Sequence, residues 1–404
     1  VGYIIDLLGR KCRNLSPLEI YSCIIAVVAV FYISFFKFEG IWHLDDLTYT
    51  LWILSTKPYP LLLGRTGFCY PFIGLWLLLK NLGIANFYFV ESAILYLNLI
   101  FLTFSYVLTF RILVAVKVPL QVAFVAVLLV LSELSFSVLG SRYNDTPLML
   151  LCVLGSYYTF ILAHEKMSYR LLLGSALLYG YSILTREPAV FYGVFFLVTV
   201  FWFKKRKLNF SFRQYGISLA LSVLVSVSGP LLLYLFYGSS FYNSVVSSLS
   251  IYMYDDTFES KLSFLWHSHV NLVFAAAASI GIYLMYRRMK VYWLLSFFAV
   301  TLIPILIFVI VGGNELIAES RFFFSLFLLL TVPVAFLVVK IPEYFNNQVA
   351  SSVVLLALIF GFMYSGTNRY LPEYEKSLAL SRKIKSNYAR IASVLTGKPV
   401  LILG

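Results

Sequence analysis

Residues 141–165 read SRYNDTPLMLLCVLGSYYTFILAHE. From Thr146 to Ala163 there is no charged side chain, and a helix needs about 20 such residues to cross a hydrocarbon layer of roughly 30 Å. The stretch predicts a membrane span over 146–163, entered through a polar segment that ends Asp145-Thr146-Pro147. Proline suits a first helical turn, where its missing N–H would have no partner, and an aspartate just before it is a good N-terminal cap. Comparable apolar stretches lie outward in both directions, at roughly 18–37, 87–110, 118–137, 170–185, 188–203, 214–237, 270–286, 291–311, 322–340 and 349–365, about eleven in all. Those at 170–185 and 188–203 are short for a full crossing and read as tilted or broken.

Composition agrees. The 404 residues are 61% hydrophobic and 12% charged, with mean hydropathy +0.88, which excludes a soluble globular domain. The expected class is an all-α membrane protein, multi-pass, in the cell (plasma) membrane. Lysine and arginine orient it, because short basic loops stay cytoplasmic. With the N-terminus inside, the inner loops carry Arg10, Lys11, Arg13, Arg111, Lys117, Lys166, Arg170, the run Lys204–Lys207, Arg213, Arg287, Arg288, Lys290 and Lys340. Carboxylates gather on the other face: Glu39, Asp45, Asp46, Glu91, Glu133, Asp145, Glu187, Asp255, Asp256, Glu259, Glu315 and Glu319. The net charge of +13 is thus an orientation signal and an attraction to anionic membrane lipids, so no nucleic-acid partner is expected. Cys12, Cys23, Cys69 and Cys152 fall inside, within spans or alone outside, and suggest no disulfide framework.

The chain divides into a polytopic transmembrane domain, residues 1–367, and an outer C-terminal segment, 368–404. Gly2 to Arg13 reads as an amphipathic segment on the inner surface, with no cleavable signal pattern. The first outer loop, about 38–86, is punctuated by Pro58, Pro60 and Pro71, and its apolar run Phe68 to Leu82 is too short to span, so interfacial helices are expected there. In the tail, Tyr374, Leu378, Ile384, Tyr388, Ile391 and Leu395 recur near helical spacing. A closing strand, Val400 to Leu403, follows, as at the start of a truncated α/β domain.

Four charged stations lie on different outer loops. In Trp42-His43-Leu44-Asp45-Asp46-Leu47, adjacent carboxylates cannot share one helix face, so one is free to aim at a reacting group; the alternative is a solvated loop with an N-capping aspartate. In Ser141-Arg142-Tyr143-Asn144-Asp145, the carboxylate either caps the next helix or serves as an oxygen ligand for Mg²⁺ or Mn²⁺, and Arg142 either pairs with it or binds substrate. Leu184-Thr185-Arg186-Glu187-Pro188 sets Arg186 either in a local ion pair with Glu187 or against a phosphate, for which a guanidinium is well shaped. Arg321, after Glu319-Ser320, heads a helix where its charge opposes the macrodipole, so an anion is expected beside it, with Glu319 the nearest. Asp255-Asp256, His267 and His269 are read as solvated loop residues.

The order of these motifs resembles the GT-C class of polytopic glycosyltransferases, in the branch of the protein O-mannosyltransferases and lipid A aminoarabinose transferases. Asp45-Asp46 is similar to that branch's first-loop acidic pair, Arg142 and Asp145 to its arginine and aspartate before the fourth span, Leu184–Pro188 to its Leu-Thr-Lys-Gly-Pro element, and Arg321-Phe322 to its late Arg-Tyr step. The likeness covers roughly residues 18–340, and the chain departs from the pattern at Asp46, Arg186 and Glu187. The resemblance implies transfer of a sugar from a polyprenyl-phosphate donor to a protein, glycan or lipid acceptor on the outer face. It implies Asp45 as general base, Asp46 and Asp145 as supports for the acceptor or ligands of a divalent metal, and Arg186 and Arg321 as cations for the phosphate. Arg142 and Glu319 complete the expected substrate-binding set. Two other classes fit the composition. A transporter or flippase would carry ionisable residues on broken spans near the midplane, and a scaffold subunit would use these charges only to cap helices.

Overall fold

The stretch that predicts the span at 146–163 is helical from Thr146 to Glu165. The computed structural model describes residues 15–35, 53–54, 65–84, 87–132, 145–196, 210–240, 259–263, 272–288, 324–345, 352–354, 356–357 and 360–361, with isolated positions elsewhere. Its helices are α1 (Pro17–Phe35), α2 (Thr66–Asn81), α3 (Phe87–Ala115), α4 (Leu120–Leu131), α5 (Thr146–Glu165), α6 (Tyr169–Thr185), α7 (Phe212–Tyr237), α8 (Leu272–Arg288) and α9 (Phe324–Phe345), with a 3-10 segment at Glu187–Gly193. No strand occurs among the described residues. Among the described residues, four helices are long and apolar enough to cross a membrane, at Pro17–Ser34, Ser92–Ala115, Thr146–Glu165 and Phe212–Leu235. The tail strand and nearly all of the stretch at 291–311 lie outside the described residues, and the stretch at 349–365 is described only in part.

Burial ranks these helices. In α5, 67% of the span is buried, against 22% in α1 and in α7, so α5 is central and the other two are the most exposed of the four. The buried core runs from α1 through α3, α4 and α5 to α9. It includes Tyr106, Phe110, Leu129, Val153 and Phe160. A smaller cluster seats α2 on the start of α3 and on Leu233 of α7.

α5 and α6 form an antiparallel hairpin closed by Lys166, Met167 and Ser168. Ser168 N–H reaches back to the Ala163 carbonyl at 3.0 Å, with Met167 left-handed at φ 51°, the hydrogen-bond pattern of a Schellman stop. Halfway up, Ser175 Oγ donates to the Ser156 carbonyl at 2.8 Å and fixes the register. α6 also packs closely on α7. A Cβ at Gly180 would lie 2.5 Å from the Ser222 carbonyl oxygen, so only glycine allows this approach.

The expected sixth span does not start as an α-helix. After α6 the backbone turns extended at Arg186 (φ −159°, ψ 128°) and continues as the 3-10 segment, with Pro188 in its first turn. Tyr157 OH donates to the Tyr192 carbonyl and Tyr179 OH to that of Val190. Phe195 then stacks on Tyr157 with ring centroids 3.7 Å apart, so the chain descends along α5 with its tighter turns held by tyrosine hydroxyls.

Candidate functional site

Three helix ends meet around one carboxylate. Asp145 precedes α5, Arg186 follows α6, and Arg65 precedes α2. Arg186 Nη1 donates a short hydrogen bond to Asp145 Oδ1 and a second, of 3.1 Å, to Thr146 Oγ1. Arg65 Nε lies 3.6 Å from Asp145 Oδ2. Asp145 is fully buried, and Arg186 and Arg65 are 3% and 6% exposed.

Each placement has a local reason. The hairpin turn returns α6 along α5, and the register set by Ser156 and Ser175 brings Arg186 opposite Asp145. A carboxylate at a helix N-terminus and a guanidinium at a helix C-terminus both suit the macrodipole. Arg65, before the first turn of α2, opposes it, and Asp145 offsets that. α2 is held on α6 by backbone contact, since a Cβ at Gly67 would lie 2.9 Å from both N and Oγ1 of Thr185.

These contacts add a partner that the readings from the sequence did not include. Asp145 stands at the cap position of α5 with helical backbone (φ −86°, ψ −14°), but its side chain makes no capping bond and turns instead to the arginines. Arg186 bonds across 41 positions to Asp145, a long-range partner that its sequence neighbourhood does not announce. Burial pushes the thiol of Cys69, in the first turn of α2, well above its usual range, with Asp145 adding to the rise and Arg65 opposing it.

Both oxygens of Asp145 face guanidinium groups, so a hard divalent cation on this carboxylate would sit against two positive charges. Among the described residues no three His, Cys, Asp or Glu side chains gather. The geometry at Asp145 does not fit the metal-ligand role.

The structure brings together Asp145 and Arg186 of the expected set. Asp45, Asp46, Arg142, Glu319 and Arg321 lie outside the described residues, as does the side chain of Glu187. Sequence reasoning missed Arg65 and Thr146. The signal for Arg65 was present: it heads an apolar helix, against the macrodipole, as Arg321 was expected to do.

No protein-family model matches the chain, and no curated protein matches it. Among solved structures it is similar to the S. cerevisiae protein O-mannosyltransferase complex bound to the sugar donor, with 14% identity and a TM-score of 0.41 over 57% of this chain. The match spans 34% of that chain. A likeness of this size fixes neither fold nor activity.

Proposed function

We propose that the chain is a membrane glycosyltransferase that moves a sugar from a polyprenyl-phosphate donor to a protein, glycan or lipid acceptor on the non-cytoplasmic face of the plasma membrane. The observation that carries this reading is the contact between Asp145 and Arg186. The two were nominated from separate motifs, and they meet in one buried cluster with a second arginine.

In the proposed reaction, Asp45 takes the proton of an acceptor hydroxyl as that oxygen attacks the sugar's anomeric carbon, and Asp46 supports the acceptor. The bond to the lipid phosphate breaks, and negative charge builds on the leaving oxygen. Arg65, Arg186 and Arg321 offer cationic donors to that charge, the interaction that most lowers the barrier of such a transfer. Asp145 is the positioning residue that holds Arg65 and Arg186 together, while Arg142 and Glu319 contact substrate.

The test is transfer from radiolabelled polyprenyl-phosphate sugars by the full chain in proteoliposomes. A labelled product is expected, falling about 100-fold or more in Asp45→Asn, the usual range for loss of a general base. Full activity in Asp45→Asn sinks the base assignment. Solute flux without covalent product selects the transporter.

A further inference from the structure

The first turn of α2 contains a gap in its own hydrogen bonding. Pro71 lies inside the helix and has no N–H, so the carbonyl four residues earlier, that of Gly67, loses the donor every other helical carbonyl would have there. Tyr181, on α6, supplies one: its hydroxyl donates to the Gly67 oxygen at 2.5 Å. The bond links α6, one turn before Arg186, to α2, two residues after Arg65. It lies beside the contact between Gly67 and Thr185, where no larger residue fits. Pro71 itself is exposed, so the proline is not there to fill the core.

We propose that Tyr181 is a positioning residue: its hydroxyl replaces the N–H that Pro71 lacks, pins the first turn of α2 to α6, and so holds Arg65 against Asp145. The donor-binding consequence rests on the function proposed above, but the positioning itself does not. Without the proline, α2 would complete Gly67 internally and have no polar tie to α6 at this point. With it, the orientation of Arg65 depends on a residue of the helix that carries Arg186, so the two guanidinium groups are aligned by one element.

The test has two readouts on the full chain in lipid nanodiscs. The first is alkylation of buried Cys69 by N-ethylmaleimide, read by mass spectrometry on its own peptide. The second is binding of polyprenyl phosphate. Tyr181→Phe is expected to speed Cys69 alkylation and weaken polyprenyl-phosphate binding by about tenfold each, the scale of one hydrogen bond. Adding Pro71→Ala, which restores an N–H for Gly67 but no tie to α6, is expected to leave both at the Tyr181→Phe values. Unchanged alkylation in Tyr181→Phe, or a rise that Pro71→Ala reverses, overturns the proposal. Alkylation that rises in both variants while lipid binding stays constant supports the positioning role and sinks the donor site instead. Should Tyr181→Phe alone not accumulate, the double variant, in which Gly67 is satisfied within α2, carries the test: fast Cys69 alkylation supports the proposal, and wild-type alkylation or no folded protein overturns it.

Discussion

The two ends of α5 are built on opposite principles. At its N-terminus Asp145 is held by Arg186 and Arg65. At its C-terminus His164 lies among rings, with Phe160 at 4.8 Å and Phe210 at 5.2 Å between centroids, and Tyr215 OH 3.2 Å from Nε2. Both ends are buried and both join α5 to its neighbours. Apolar area and edge-to-face rings would have sufficed for that at either end. Buried charge is a costly way to join helices, since well-packed apolar residues of similar volume are often as stable. The charged end is therefore the one whose residue types call for a role beyond packing, and the aromatic end is an anchor.

The sharpest way to break this comparison is to change the charged end in two ways. Asp145→Asn is expected to cost about 3–5 kcal/mol, because it strands buried guanidinium charge, and to abolish sugar transfer. The triple change Asp145→Leu, Arg186→Met and Arg65→Met is expected to recover much of that stability without recovering transfer, as read by thermal unfolding in detergent beside the proteoliposome assay. Transfer by the triple variant would reduce the cluster to a structural joint. A smaller effect is expected at the aromatic end, where Tyr215→Phe removes one hydroxyl and costs about 0.5–1.5 kcal/mol with transfer unchanged. A large loss of transfer there would erase the contrast between the ends.

The smallest effect is on the Cys69 thiol. Asp145 raises its pKa and Arg65 lowers it, so Arg65→Gln is expected to move the onset of alkylation to higher pH and Asp145→Asn to lower pH. The pH profile of iodoacetamide modification reads both. Shifts of the same sign would show that the two side chains do not act on Cys69 by charge.

What could be read beforehand follows the range of the interactions involved. α5 was legible in its own apolar run, and its start in Pro147, because a membrane span is set by composition over some twenty contiguous residues. Asp145 and Arg186 stood out as charges in apolar surroundings, but their pairing did not, since it depends on the register of a hairpin and not on local spacing. Arg65 shows how a rule is applied unevenly: the macrodipole argument used for Arg321 applies to it equally. The broken start of the sixth stretch was foreshadowed by its length and by Pro188. Its 3-10 form depends on hydroxyls from Tyr157 and Tyr179, which no pattern within 187–193 reveals. Tyr181 was invisible for the same reason, although Pro71 and Gly67 at a separation of four marked the place where a foreign donor was needed.

The short turn through Met167 also bears on how the chain reaches its membrane during synthesis. A lone charge near the centre of an inserting helix costs roughly 2.5–3.5 kcal/mol. Delivered separately, Asp145 and Arg186 would each meet whatever part of that penalty their depth imposes. A turn of three residues lets both segments leave the insertion machinery as one hairpin, with the opposite charges at its open end already within reach of each other. The pair would then cross as a near-neutral unit, and lengthening the turn at Met167 would be felt first in biogenesis, before any step of chemistry.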